Sequence, residues 1–228
     1  MPTDDEALRL QKAYAPLRTF DERMTNRGFS RFWHERNDAL SELLSRRLEK
    51  PLSEYRILDF GCGPGVVANW LKLQGASPER FIGVDLQRER IERARKTYPD
   101  LTFVEANGEH LPFESGRFDI VLAFTVFSSV PDHPMAKRIA TELTRVLATA
   151  GMIIWYDMRY PNPFNPHLRA MTKSRIRSLF PAMHAELNTL TLLPPVAERL
   201  GTLTDALYSP LAAIPALRSH YFGFLRSC

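Results

Sequence analysis

Cysteine is scarce: among 228 residues only Cys62 and Cys228 occur, one within a glycine-rich stretch and one at the last position. That usage offers no disulfide framework and points to a reducing compartment. Long apolar runs are missing as well, and none approaches the roughly 20 residues that a membrane-crossing helix requires. The opening MPTDDEALRL is acidic and polar, unlike a secretory signal, so the cytoplasm is the expected location. Internal repeats and low-complexity tracts are absent, which excludes a repeat architecture. A strong charge imbalance is lacking too. The net charge is +4, and the arginines are interleaved with acids, as in RERIERARK at 88–96. Such a stretch reads as a solvated helix face. With no recognisable nucleic-acid module beside it, nucleic acid is not an expected partner.

What is present is the composition of an ordinary globular chain, 44% hydrophobic and 25% charged. Residues 4–50 read as helical, LRLQKAYAPL first and then FSRFWHERNDALSELLSRRLEK, with Pro51 as the stop. Short apolar strands then alternate with helices. Strands are expected at 55–60, 81–85, 101–105, 118–124 and 151–157, and helices at 66–74, 88–98 and 135–147. The run FDIVLAF at 118–124 is almost continuously apolar, as a parallel strand buried on both faces should be. Successive βα units imply a doubly wound, mostly parallel sheet. Beyond Asp157 the texture changes to the proline- and asparagine-rich loop RYPNPFNPH. A helix at 172–180, strands at 187–193 and 220–227, and short helical pieces over 194–217 are expected after it. No linker interrupts the chain. One domain is expected over 1–228, with a helical extension or lid at 1–52, a ligand-binding half at 53–157 and an acceptor-side half at 158–228.

The most informative stretch is Leu58-Asp59-Phe60-Gly61-Cys62-Gly63-Pro64-Gly65, a glycine-rich turn between a strand and a helix. Glycines there adopt dihedrals closed to other residues and allow a ligand close to the backbone. The free N–H groups at the following helix start favour an anion. A bare βα turn is the bland alternative. A dinucleotide fingerprint requires a third glycine where this chain has Val66, and no Gly-Lys-Ser/Thr follows to make a P-loop.

The pattern resembles motif I of the class I S-adenosylmethionine-dependent methyltransferases, and three more segments resemble that family in order. Asp85 ends the second strand, where a carboxylate accepts both ribose hydroxyls; a dinucleotide enzyme would use the same position. Ala106-Asn107-Gly108-Glu109-His110-Leu111-Pro112-Phe113 is similar to the family's G-D-A-E-x-L-P-F segment, with Asn107 in place of the adenine-binding Asp. Gly116-Arg117-Phe118-Asp119-Ile120-Val121 resembles the opening of its fourth strand. Arg145-Val146-Leu147 and Gly151 resemble its R-V-L-K-P-G-G turn, with Ala-Thr-Ala replacing Lys-Pro-Gly. The resemblance covers roughly residues 53–157. It implies a Rossmann-like, seven-stranded, mostly parallel sheet and S-adenosyl-L-methionine as cofactor. It implies cofactor contacts from Asp59, Gly61, Cys62, Gly63, Asp85, Leu86, Asn107, Gly108, Glu109, Phe124 and Thr125. Cys62 is also readable as a small filler within the loop.

Methyl transfer is an in-line displacement at an already activated carbon, so alignment matters most, and a hydroxyl acceptor usually needs a base as well. Three residues are candidates for that chemistry. His133 follows the fourth strand, with an exposed helix start as its competing reading. Asp157 and Tyr160 leave the fifth strand at the edge where ligands bind, with a loop anchor as the alternative. Arg159 is expected to position an anionic group. Of the histidines late in the chain, only His167 falls near a loop of functional character. The acceptor pocket is expected from the loops after strands four and five, and no metal site is expected. The expected function is transfer to a small-molecule acceptor, with a hydroxyl of a sugar, glycolipid or secondary metabolite preferred. N-methyl transfer and a cofactor-binding module without turnover stand as alternatives.

Overall fold

The computed structural model describes residues 20–162, 165 and 167–227. The helix expected over LRLQKAYAPL, and Pro163, Phe164 and Pro166 of the loop, lie outside them. Two helices come first, α1 (Phe20–Met24) and α2 (Arg27–Arg47). Asn26 caps α2 by accepting a hydrogen bond from the Phe29 amide. The alternating units follow: β1 (Ile57–Phe60), α3 (Val66–Leu73), β2 (Phe81–Asp85), α4 (Arg88–Thr97), β3 (Thr102–Glu105), β4 (Phe118–Phe124), α5 (His133–Val146) and β5 (Leu147–Met158). The remainder comprises α6 (Lys173–Leu179), β6 (Met183–Leu192), α7 (Pro194–Arg199), α8 (Thr204–Ala212) and β7 (Arg218–Ser227).

The strands form one seven-stranded sheet in the order β3-β2-β1-β4-β5-β7-β6. β1 to β5 pair in parallel, and β7 runs antiparallel between β5 and β6. The expected doubly wound sheet is present, and β7 alone opposes the common strand direction. The chain reverses between β1 and β4, so the crevice at their carboxyl ends is the place where such sheets bind ligands.

Strand alternation divides the core into two layers. Ile57, Ile120, Leu122, Ile154 and Tyr156 face one side with α2, α3, α4 and α8. Leu58, Val121, Ala123, Ile153 and Trp155 face the other with α5 and α6. Both faces being covered explains why the central strands are mostly apolar.

α2, within the expected extension or lid, packs on the body of the domain. Its stripe Phe29, Phe32, Arg36, Asn37, Leu40 and Leu44 is buried, and the helix packs against α7, α8 and β6. Phe29 and Phe32 are core residues, whereas Trp33 is half-buried and His34 exposed.

Candidate active site

β1 delivers the chain into the glycine loop at the crevice. Gly61 has φ +74°, and a Cβ there would come within 2.5 Å of Val126 Cγ2. The Gly61 and Cys62 amides donate to Val84 O at 2.8 and 2.9 Å, tying the loop to β2. Asp85 fixes the next turn: Oδ2 accepts from the Gly63 amide at 2.9 Å, and Oδ1 from the Gln87 amide at 2.8 Å. Each carboxylate oxygen retains a lone pair for a ligand hydroxyl. A pocket opens over this loop, and Gly61, Asp85, Leu86, Asn107, Gly108 and Thr125 line it. Val126 and Ser129 after β4 line it too, as do Gln87, Arg90, Met135 and Ile139, which sequence reasoning had not picked out.

The expected cofactor residues divide by position. Gly108 packs so tightly that a Cβ would sit 2.5 Å from Phe60 Cζ. Asn107 lines the pocket while its Oδ1 accepts from the Glu109 amide at 3.0 Å. The Glu109 side chain turns away into an ion pair with Arg138. Thr125, at φ +54°, has a left-handed backbone uncommon for a β-branched residue, and such strain concentrates at functional sites. Phe124 is buried, with its ring edge-on to Tyr156 at 5.7 Å. Cys62 lies buried beneath the loop, close to Gly83, and burial pushes its thiol well up, which suits a filler.

Asp59 is the unusual member. It is 2% exposed, and its Oδ2 has no hydrogen-bond partner among the described residues. Burial pushes its carboxyl up to about 7; Arg36 opposes that shift and Asp85 adds to it. Arg36 enters from α2, with its guanidinium 3.8 Å above the Trp33 ring and two bonds to Asn37 Oδ1, and burial lowers it to about 10. An orphaned carboxylate oxygen beside a glycine cradle suits the charged amino end of an amino-acid-like ligand. Asp85 and Asn107 supply acceptors for a ribose and an exocyclic amine. The residues present therefore fit S-adenosylmethionine.

The three candidates for chemistry fare differently. Asp157 is fully buried; its Oδ2 accepts from the Ser128 amide at 3.0 Å and its Oδ1 from the Met158 amide at 2.8 Å. Burial raises its carboxyl to about 6, and those hydrogen bonds oppose the shift. These bonds join the loop after β4 to the end of β5, and Asp157 lines neither pocket, so its burial rather than its hydrogen-bond count favours the loop-anchor reading. His133 is the exposed first residue of α5 and lines neither of the two pockets described here. Tyr160 does border a second cavity, of about 670 Å³, with its hydroxyl donating to Ala216 O at 3.3 Å. Arg159 stacks over Tyr160 and donates to Pro215 O, which makes it a loop brace.

That second cavity opens at the same sheet edge. The loop after β5 contributes Met158, Tyr160, Pro161 and Asn162, as expected, but the loop after β4 contributes nothing. Its other wall comes from Leu193–Arg199, from Asn26, and from Ser219 and His220 at the start of β7. His167 is exposed and lies outside it, whereas His220, passed over in the sequence, is part of the wall. One signal was available for Arg36: it falls on the apolar stripe of α2, where a charge must find a partner.

A family model described as the methyltransferase domain matches residues 58–155. The chain is 32% identical over 130 residues to phthiotriol/phenolphthiotriol dimycocerosates methyltransferase 1 of Mycobacterium ulcerans, covering 56% of this chain and 46% of that protein. It is 36% identical over 118 residues to trans-aconitate 2-methyltransferase of Afipia carboxidovorans, covering 50% and 44%. It thus spans less than half the length of these relatives. The crystal structure of the PH0226 protein from Pyrococcus horikoshii OT3 shares the fold, with a TM-score of 0.65 at 16% identity over 95% of this chain and 99% of that one. Motif, sheet order and matched segment agree: over residues 58–155 the chain is similar to the class I S-adenosylmethionine-dependent methyltransferases.

Proposed function

We propose that the chain methylates a hydroxyl of a small molecule that enters the cavity beside β5 and β7. The observation that carries the reading is that two differently built pockets open where the parallel strands end. One is the glycine-loop pocket with Asp85 and Asn107. The other mixes apolar walls, Pro161, Pro194, Pro195 and Val196, with neutral polar groups on Asn26, Asn162, Ser219 and His220 and with Glu198 and Arg199. Apolar walls with a few convergent polar groups suit a small ligand. Phe124 joins the two, since it ends β4 just before Thr125 and meets Tyr156, which stacks on His220.

When bound, the cofactor supplies a methyl group activated by its sulfonium charge. The chain's own work is to bind and align. Asp59, Asp85 and Asn107 hold the cofactor's polar ends, and the strained Thr125 brings backbone close to the crevice. Proline-braced walls fix the acceptor's approach. Alignment of this kind is the main contribution a protein makes to such a displacement. The relatives named above are methyltransferases of a lipid and of trans-aconitate, which agrees with a non-polymeric acceptor.

No helix among the described residues is long and apolar enough to cross a membrane.

The test is transfer of a labelled methyl group to a panel of alcohols, amines and carboxylates and to fractionated metabolite extracts. Label in an ether product is the expected result. Label on nitrogen or on a carboxylate would refute the hydroxyl assignment. Tight cofactor binding without label in any fraction would favour a binding module.

A further inference from the structure

His220 opens β7 opposite Met158 of β5 and Leu190 of β6, at the sheet edge where the second cavity lies. Its ring is fixed from two sides. It stacks on Tyr156 at 4.3 Å with an interplanar angle of 8°, and Phe32 meets it edge-on at 5.6 Å. Nδ1 lies 2.7 Å from Ser219 Oγ and 3.1 Å from Thr191 Oγ1. Thr191 takes φ +58°, a backbone that surrounding structure must impose on a β-branched residue.

The hydroxyl protons decide the tautomer. Thr191 Oγ1 donates to Leu190 O at 2.8 Å, and Ser219 Oγ donates to Thr191 O at 3.2 Å. Each hydroxyl has one proton to give. Tyr156 therefore donates its own hydroxyl proton to Thr191 Oγ1, at 2.9 Å. Ser219 Oγ also reaches Leu192 O at 3.3 Å, and with both hydroxyl protons directed to these carbonyls Nδ1 is the donor to the two oxygens. In a neutral ring that leaves Nε2 as a bare acceptor.

We infer that His220, held as the Nδ1–H tautomer, is the specificity-determining hydrogen-bond acceptor of the second cavity, where Nε2 receives the O–H of an alcohol. The inference rests on reading that cavity as the acceptor pocket, and it goes further by naming the group that selects the ligand. An acceptor-only nitrogen favours a hydroxyl and disfavours an anion or an ether oxygen, because a buried group left unpaired is costly. The surroundings keep the ring neutral. Burial pushes it down to about 3, and the positive charge of Arg36 from α2 works in the same direction. The other groups near it are the uncharged hydroxyls of Tyr156 on β5, Thr191 on β6 and Ser219 on β7. Asp59 on β1 acts on Arg36, and α7 brings Glu198 and Arg199 to the cavity wall.

The test uses the full chain labelled with ¹⁵N-histidine, and it needs no turnover. Long-range proton–nitrogen spectra at pH 7 should give His220 a protonated Nδ1 and an unprotonated Nε2. Titration with cyclohexanol should then move Nε2, whereas its methyl ether, methoxycyclohexane, should not. The alcohol should bind at least tenfold more tightly than the ether, and His220→Phe should erase that preference. An Nε2–H tautomer, or equal responses to alcohol and ether, overturns the inference, and both measurements on the unmodified chain stand even where the variant fails to fold. Failure of the wider methyltransferase reading would appear separately, as loss of cofactor binding or of label transfer.

Discussion

Asp59 gives the sharpest quantitative expectation. Its carboxyl is nearly inaccessible, has one oxygen unpaired and is raised by burial to about 7 from an ordinary 3.8. A cationic amino group arriving beside it stabilises only the ionised form. Binding should therefore release close to half a proton at pH 7, since a group with a pKa near 7 is about half protonated there. Between pH 7.5 and pH 6 the ionised fraction falls by roughly eightfold, so affinity should weaken by that factor, about 1.2 kcal/mol. Titration calorimetry with S-adenosylhomocysteine, in buffers of different ionisation enthalpy, reads both the proton count and the pH slope. Asp59→Asn removes the titration while keeping the shape, so both signals should vanish and the remaining affinity should not depend on pH over this range. A wild-type affinity that is flat from pH 6 to 7.5, or an Asn variant with the same slope, would refute the reasoning.

The same residue makes an opposite contribution to the ligand-free fold. Its folded pKa lies above its unfolded value, so the native state binds the extra proton. That stability is fully present below about pH 3.8 and is lost as pH rises through 7. Asp59→Asn should accordingly be at least as stable as the parent at pH 8, and the gain should shrink in acid. A site that stabilises the fold poorly and a ligand well is the expected signature of a binding residue.

Three further expectations follow from the same geometry. Asp157→Asn should lower unfolding free energy by about 1.5–3 kcal/mol, since both carboxylate oxygens serve backbone amides, with cofactor affinity little changed; a melting curve matching the parent would sink the anchor assignment. His220 has a folded pKa below its ordinary 6.5, so its contribution is present above pH 6.5 and is lost as pH falls through 3; the stability advantage over His220→Asn should shrink by on the order of 3 kcal/mol between pH 7 and pH 4 in denaturant titrations. Deleting residues 1–36 should destabilise the sheet domain itself, because Phe29 and Phe32 are core side chains at roughly 1.5–3 kcal/mol each; a truncated chain that melts like the parent would restore the separable lid expected from the sequence.

The half of the molecule legible in the sequence is the half where backbone geometry dictates residue type. β1 and β4 are apolar but for Asp59 and Asp119 because α2–α4 cover one face and α5–α6 the other, and the run FDIVLAF carries that requirement openly. Gly61 had to be glycine because a Cβ would strike Val126, so the cofactor loop could be read before any contact was known. Glu109 follows Asn107 and Gly108 in the segment, and only the approach of α5 reveals that its carboxylate pairs with Arg138. Asp157 sits at the strand end where a catalytic carboxylate would, but its complete burial and its bonds to the Ser128 and Met158 amides depend on the packing of the loop after β4, which the sequence does not display. The acceptor side carries no such constraint. His220 and Thr191 are 29 residues apart and meet only through the β6–β7 register, and neither strand's composition demands a histidine or a threonine there. Arg36 lies between these cases, since a lone arginine on the stripe Phe29, Phe32, Leu40 and Leu44 announces a buried partner without naming Asp59. A cofactor common to a whole family is held largely by backbone, and backbone requirements persist in the residues. An acceptor is held by side chains assembled across distant strands, and their chemistry becomes readable only when the sheet order brings them together.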